Sequence, residues 1–347
     1  MAVTQQMRFG IIGTGMIGRY HAEAIRRTAG AQLVAVCRAQ GGAREEVEAV
    51  FGVPCELSDA ALLARDDIDA VCICTPSGLH AAQTIAAARA GKHVLVEKPI
   101  ALTLEDADAM IAACREAGVL LGVALQRRTE PVFRSVRAAI EAGELGRLTL
   151  GGITIPYLRP QSYYESASWR GTWALDGGGA LMNQGIHLVD MLLWFMGDIA
   201  EVQSAAATLA HQIEVEDCVT ATLRFQNGAL GTIGATTAAA PGFPHRVEVY
   251  GDRGGVQIEG ERVVRAEGEL LAPRFAETLR LAQTAPVAAG AGAAPTGIQV
   301  DGHVRLVEDL VAAIREDRQP LVPGEEGRRS LDAVLAVYKA AKLGNRL

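Results

Sequence analysis

Residues 7–18 read MRFGIIGTGMIG, and the rest of the chain is best understood from this stretch outward. Phe9, Ile11 and Ile12 make a short apolar run suited to a buried strand. Glycines follow at 13, 15 and 18 in the pattern G-x-G-x-x-G, and a helix-compatible run continues to Arg27. Gly13 permits a tight strand-to-helix turn, and Gly15 leaves room for a pyrophosphate against the backbone. Gly18 lets helix and strand pack closely, while Met16 and Ile17 open a helix whose free amides face the phosphates. Strand, glycines and helix in that order are the context that separates a dinucleotide site from an incidental glycine turn.

The chain of 347 residues has room for two domains, each with its own core. A hydrophobic share of 49% and a charged share of 21% describe an ordinary globular protein. The formal charge of -7 argues against a nucleic-acid or anionic-membrane surface. No run approaches 18 uninterrupted apolar residues and the first residues lack an apolar export core, so a cytoplasmic protein is expected. The six cysteines (37, 55, 72, 74, 114 and 218) sit mainly in apolar surroundings. Cys72 and Cys74 have one residue between them instead of the two of a redox motif, and read as core residues.

Along the chain, Leu33–Val36 reads as a second buried strand. In a dinucleotide fold its end meets the adenosine ribose, where an acid would accept hydrogen bonds from the 2′-hydroxyl. Arg38 stands there instead, with Arg44 nearby, and suits a 2′-phosphate or simply solvent; NADP is slightly favoured over NAD. Ala70–Cys74 is a third strand, opening into TPSGLH, where Thr75, Pro76 and His80 lie at a strand's C-terminal end and suit contact with the cofactor. A fourth strand, His93–Val96, runs into Glu97, Lys98 and Pro99. Lys98 at this edge suits reach to both cofactor and a bound hydroxyl; the plainer reading is a surface charge pair with Glu97. Thr103 is a helix cap.

From Leu148 the pattern changes. Tyr157, Tyr163, Tyr164, Trp169 and Trp173 are interleaved with Arg159 and Arg170, and Gly177–Gly179 permit close backbone approach. A helix follows bearing Asn183, Gln184, His187 and Asp190. Asn183 and His187 are i, i+4 neighbours; Asp190 lies three residues beyond His187 and suits orienting it. His187 reads as a proton donor or acceptor, or as a core histidine, with metal ligation the weakest option. Extended segments at 201–210, 217–225, 229–237 and 245–259 follow, with Asn227–Gly228 as a hairpin turn. Residues 285–297 are poor in core-forming side chains and read as a loop or lid. Two helices, 301–318 and 327–343, close the chain.

GIIGTGMIG, then CTPSGLH with VEKP, then DGGGALMNQGIHLVD, in this order, resemble the glucose-fructose oxidoreductase, inositol dehydrogenase and rhizopine-catabolism family of NAD(P)-dependent oxidoreductases. The resemblance implies an α/β chain: a Rossmann domain (1–125), a substrate-binding and oligomerisation domain with a large, mostly antiparallel sheet (126–325), and a terminal helix (326–347) packing back toward the first domain. It implies a homodimer or homotetramer through that sheet. It puts Lys98 and His187 at the catalytic positions, and Gly13, Gly15, Gly18, Thr75, Pro76, His80 and Glu97 around the cofactor. The Lys98–Pro99 bond is implied as cis.

Two positions depart from the family pattern. Asn183 stands where many polyol-oxidising members carry Asp, and Arg38 where NAD-dependent members carry Asp. The run SYYESASWRGTW is similar to the branch that oxidises the 3-hydroxyl of a UDP-linked N-acetyl-glucosaminuronic acid, with Tyr163, Trp169, Arg170, Asn183 and Asp190 as candidate substrate contacts. Free sugars and inositols are substrates of neighbouring branches. The expected function is hydride transfer between a secondary sugar hydroxyl and the nicotinamide, without a metal. Reduction of a keto-sugar, keto-inositol or imine by NADPH is the alternative, and a non-catalytic dinucleotide sensor a second.

Overall fold

The computed structural model describes residues 6–38, 43–284 and 300–343. The lid reading of 285–297 lies outside these. Compactness divides the chain into two units: residues up to 129 with 300–331, and residues 130–284 with 332–343.

The first unit begins β1 (Met7–Ile12), α1 (Met16–Arg27), β2 (Ala31–Cys37), α2 (Arg44–Phe51), β3 (Cys55–Glu56), α3 (Asp59–Leu63) and β4 (Ala70–Ile73). It continues with α4 (His80–Arg89), β5 (His93–Val96), α5 (Leu104–Ala117) and β6 (Leu121–Val123). The six strands lie in the order β3-β2-β1-β4-β5-β6, all parallel. This is the doubly wound dinucleotide-binding order, whose ligands bind at the C-terminal ends of the strands. The centre of the sheet is buried on both faces: Phe9, Ile11, Val71, Ile73, Val94 and Val96 are all 0% exposed. Such strands read as continuous apolar runs without alternation, which is why they stand out in the sequence. Thr103 caps α5 by accepting from the amide of Asp106 (3.1 Å), and Gly118 in the left-handed region ends it.

The second unit holds α6 (Pro131–Glu141), β7 (Leu148–Pro156), α7 (Gln161–Glu165), α8 (Ile186–Met196), β8 (Ile199–Ala207), β9 (Cys218–Phe225) and β10 (Leu230–Thr236). It adds β11 (Arg246–Gly251), β12 (Gly254–Glu259), β13 (Arg262–Gly268) and α9 (Leu271–Thr284). Seven strands form one sheet, β13-β12-β11-β7-β10-β9-β8, antiparallel except for the β7–β10 pair. One face is closed by apolar residues while the other carries Thr220, Thr222 and Thr232, so β9 alternates strictly. The expected single segment 245–259 is two strands, because Asp252 and Arg253 turn the chain by donating their amides to Arg147 and Leu145. Strand β13 and helix α9 complete this edge.

The chain then returns to the first unit through α10 (Asp301–Glu316), which packs on α1. Helix α11 (Gly324–Ala340) starts among residues of the first unit and ends among those of the second. Among the described residues no helix is long and apolar enough to cross a membrane, and all six cysteines are free, five of them buried.

Candidate active site

In the first unit the glycine turn shows which glycines serve the fold and which serve a ligand. Gly13 has φ +102°, and a Cβ there would lie 2.7 Å from the backbone of Cys74. A Cβ on Gly18 would lie 2.1 Å from the Gly13 carbonyl oxygen. Both glycines are therefore demanded by close packing of β1, α1 and the loop after β4. Gly15 is different: a Cβ there meets nothing within 4 Å. It forms the N-cap of α1 without a side-chain cap, and no acid occupies the first turn. Open space, free amides and the positive end of the helix dipole fit a pyrophosphate. Met16 is exposed, Ile17 half-buried.

Arg38 is exposed at the end of β2, its amide bonded to the Glu56 carbonyl (3.1 Å). An acid does reach this strand end. Asp59, the first residue of α3, accepts from the Cys37 thiol (3.3 Å) and from Gln83 (2.8 Å), and Gln83 accepts from the Thr75 hydroxyl (2.5 Å). Asp59 sits 21 positions after Arg38 behind an intervening helix, so sequence order hides it. Pro76 leads into a short 3-10 turn, Ser77–Leu79, before His80.

His80 is buried, with Nδ1 2.9 Å from the Pro99 carbonyl and Nε2 3.0 Å from the Thr75 carbonyl. It thereby ties the TPSGLH loop to the chain just after Lys98. Burial holds its imidazole below the ordinary value, against the pull of the two carbonyls. The Lys98–Pro99 bond is cis, as the resemblance implied.

Glu97 points inward rather than into solvent. It is 6% exposed, and its Oε1 lies 2.8 Å from His21 Nε2 and 3.5 Å from His303 Nε2. Its Oε2 accepts the backbone amide of Lys98 (3.2 Å). Burial acts to raise the carboxyl's pKa, but the two histidines prevail and hold it well below the usual carboxylate range. Burial holds His21 below its ordinary value in turn. Donor atoms of His21, Glu97 and His303 lie within 4.8 Å of one another, a grouping able to suggest a metal. Two ligands at about 2.0 Å on a tetrahedral ion stand about 3.3 Å apart, however. The 2.8 Å contact is a hydrogen bond, and the grouping is a hydrogen-bonded cluster around a buried carboxylate that anchors the backbone of Lys98.

In the second unit the polar run after β7 closes into a network. Tyr163, in α7, accepts from Arg170 Nη1 (2.5 Å) and Gln184 Nε2 (3.1 Å). The Arg170 guanidinium lies 4.3 Å from the Tyr163 ring centre and 4.6 Å from that of Trp169, while Arg159 lies 5.7 Å from Tyr163 and donates to Gln184 Oε1 (2.8 Å). Stacking on aromatic faces holds these two cations in place. Burial pushes the Tyr163 phenol pKa up, so the phenol stays protonated.

Asn183 lies in a π-helical turn, Ala180–Gly185, and donates its amide to Asp176 Oδ1. Asp176 is 2% exposed and also accepts the Gly171 amide (2.9 Å). A carboxylate therefore does stand on Asn183, supplied seven residues earlier by the D-G-G-G run. His187 is half-buried in the first turn of α8, and Asp190 is 0% exposed. That depth suits orienting a neighbour rather than touching a sugar. The glycine run approaches protein rather than ligand: a Cβ on Gly179 would lie 1.8 Å from the Glu216 carbonyl oxygen, and one on Gly178 2.3 Å from the Tyr338 hydroxyl.

Comparison with known proteins agrees with both halves. Residues 7–125 match the oxidoreductase family with an NAD-binding Rossmann fold, and residues 133–257 match the GFO/IDH/MocA C-terminal domain. The chain is 32% identical to inositol 2-dehydrogenase of Rhizobium meliloti, across 90% of this chain and 98% of that one. It is 33% identical to 1,5-anhydro-D-fructose reductase of Ensifer adhaerens, across 97% of each. The WlbA dehydrogenase of Bordetella pertussis, solved with NADH and UDP-GlcNAcA, shares 35% identity and a TM-score of 0.85 over 98% of both chains. The chain belongs to the GFO/IDH/MocA family of NAD(P)-dependent oxidoreductases.

Proposed function

We propose that the chain oxidises a secondary hydroxyl of a UDP-linked sugar acid. The observation that carries this substrate class is the pair of guanidiniums, Arg159 and Arg170, gathered on Tyr163 beside Trp169. Planar cations on aromatic faces suit a carboxylate and a sugar ring together. The likeness to the Bordetella pertussis dehydrogenase solved with UDP-GlcNAcA supports the same choice.

The bound nicotinamide supplies the hydride acceptor. The residues supply the rest. His187 takes the hydroxyl proton, for which an imidazole has a suitable unperturbed pKa. Lys98 donates a hydrogen bond to the reacting oxygen and stabilises the alkoxide charge that develops there. Asn183, fixed by Asp176, bonds an adjacent hydroxyl, and Asp190 orients His187. The amides at the start of α1 would hold the pyrophosphate, and Thr75, Pro76 and His80 would frame the cofactor.

For the dinucleotide, Arg38 at the end of β2 suits a 2′-phosphate and favours NADP, while the relative solved with NADH favours NAD. Arg38 also favours a second reading, reduction of a keto-sugar with NADPH, which the 1,5-anhydro-D-fructose reductase relative supports. Self-association as a homodimer or homotetramer belongs on the open face of the seven-stranded sheet, where exposed Leu150 and Leu230 pair side by side. Cytoplasmic location suits six free thiols.

Steady-state rates with UDP-GlcNAcA, myo-inositol and 1,5-anhydro-D-fructose, each with the matching oxidised or reduced NAD and NADP, test the proposal. A kcat/KM for UDP-GlcNAcA at least tenfold above the other two supports it. Preference for a free sugar or polyol overturns the substrate class, and faster reduction of the anhydro-ketose favours the second reading.

A further inference from the structure

The proposed reaction leaves two buried acids of the second unit unused; Asp217 holds the amides of 209–211, and Glu216 is the other. Glu216, just before β9, is 2% exposed. Its Oε2 accepts the amide of Gly179 (2.9 Å), and its Oε1 accepts the amide of Leu181 (2.9 Å) and the hydroxyl of Tyr338 (2.8 Å). Its backbone carbonyl accepts the amide of Ala180 (3.0 Å). The Tyr338 oxygen accepts the amide of Met182 (3.1 Å), and Tyr338, on α11, is 0% exposed.

Four successive amides, from Gly179 to Met182, are thus taken by two residues. These are the donors that the start of a helical segment leaves without partners of its own. An N-cap meets one or two of them locally; this pair meets all four from the residues before β9 and from α11. The turn so gripped holds Asn183 and feeds directly into α8, whose first turn carries His187. Gly178 and Gly179 fit the same grip, since a Cβ at either would strike Tyr338 or Glu216.

We propose that Glu216 and Tyr338 are positioning residues, a clamp that fixes the π-helical turn and through it Asn183 and His187. The inference rests on the assignment of those two residues to the reacting site. Burial pushes the Glu216 carboxyl up to about 7 in spite of its three donors. A proton on Glu216 removes the charge that strengthens these three hydrogen bonds. The grip therefore weakens as pH falls through neutrality. On the elements packed against the turn the titratable groups are Cys218 and Arg224 on β9 and His187 and Asp190 on α8, β10 carries none, and α11 reaches the turn with Tyr338; Asp217 is adjacent and bonded to His211 (2.9 Å).

Tyr338→Phe and Glu216→Gln test the clamp by two readouts. Amide hydrogen exchange needs no substrate. Y338F is expected to speed exchange at Gly179–Met182 by about tenfold, the loss of a buried hydrogen bond, with α1 and the first-unit strands unchanged. Unaltered exchange there overturns the clamp whatever the substrate. The second readout is kinetic: both variants are expected to lose about tenfold or more in kcat with KM for the dinucleotide unchanged, and the acid limb of E216Q is expected to follow one proton, that of His187, where wild type loses activity to two. Faster exchange with wild-type kcat and pH profile overturns the positioning role. Because Y338F keeps the ring and the acid, it carries the test if E216Q does not fold. His187→Ala separates the two readings: an active H187A defeats the assignment of His187, while the exchange result still decides the clamp.

Discussion

Replacing His21 by Leu isolates the cluster that anchors Lys98. Glu97 is almost fully buried and receives two histidines on one oxygen, of which His21 at 2.8 Å is a full hydrogen bond and His303 at 3.5 Å is not. Leucine removes the stronger partner and leaves the carboxylate inside. At neutral pH His21 is a neutral donor, and leaving a buried carboxylate short of such a donor destabilises by about 3 kcal/mol or more. His303 remains to offset part of that, which puts H21L at about 3 kcal/mol, or roughly 4 °C in melting temperature at about 2.1 cal/mol/K of unfolding entropy per residue. His21→Gln keeps an N–H donor and is expected to recover more than half of the loss.

The same cluster sets a pH dependence. His21 is held below its ordinary value, so the unfolded chain binds the extra proton first, and stability falls as pH drops through about 6.5. Glu97 is also held low, so its contribution is complete above the unfolded value of about 4.3 and is lost at lower pH. Both signs make the fold acid-labile, and H21Q is expected to flatten the upper step. Thermal unfolding between pH 4 and 8 reads all of this. An H21L melting temperature within about 2 °C of wild type at pH 7.5 refutes the reasoning.

Gly15→Val meets open space, so its melting temperature stays at the wild-type value while the dinucleotide Kd rises by about tenfold or more, measured by calorimetry. Gly18→Ala, by contrast, forces a methyl onto the Gly13 carbonyl, and lower stability is the expected result. Lys98→Met is expected to lower kcat by about a hundredfold with the dinucleotide Kd within about threefold; an unchanged rate removes Lys98 from the chemistry. Arg38→Asp is expected to shift the ratio of kcat/KM for NADP over NAD toward NAD by about tenfold or more, and an unmoved ratio means that this strand end does not choose the cofactor.

The first unit was legible because its strands are short apolar runs punctuated by glycines with a fixed mechanical purpose. The same reading named Thr103 as a cap, Asn227–Gly228 as a turn and the residues flanking the cis bond after Lys98. What escaped it depends on contacts between residues far apart in the chain. His21 looked like one more helical residue, yet it lies against Glu97, 76 positions on. Asp176 reaches Asn183, and Glu216 with Tyr338 accounts for glycines that in sequence alone suggested close approach to a ligand. A return of the closing helices to the first domain was expected, but which segment makes it is not set by a linear reading, because nothing in a helix's own period says which core it covers.

The central claim is hydride transfer from a UDP-linked sugar acid, and isotope transfer measures it directly. Wild-type chain is incubated with ring-deuterated UDP-GlcNAcA and oxidised dinucleotide, and the reduced dinucleotide is weighed by mass spectrometry. The account predicts one deuterium per reduced dinucleotide and a matching keto-sugar product. Binding of the labelled sugar with no deuterium reaching the dinucleotide would contradict it.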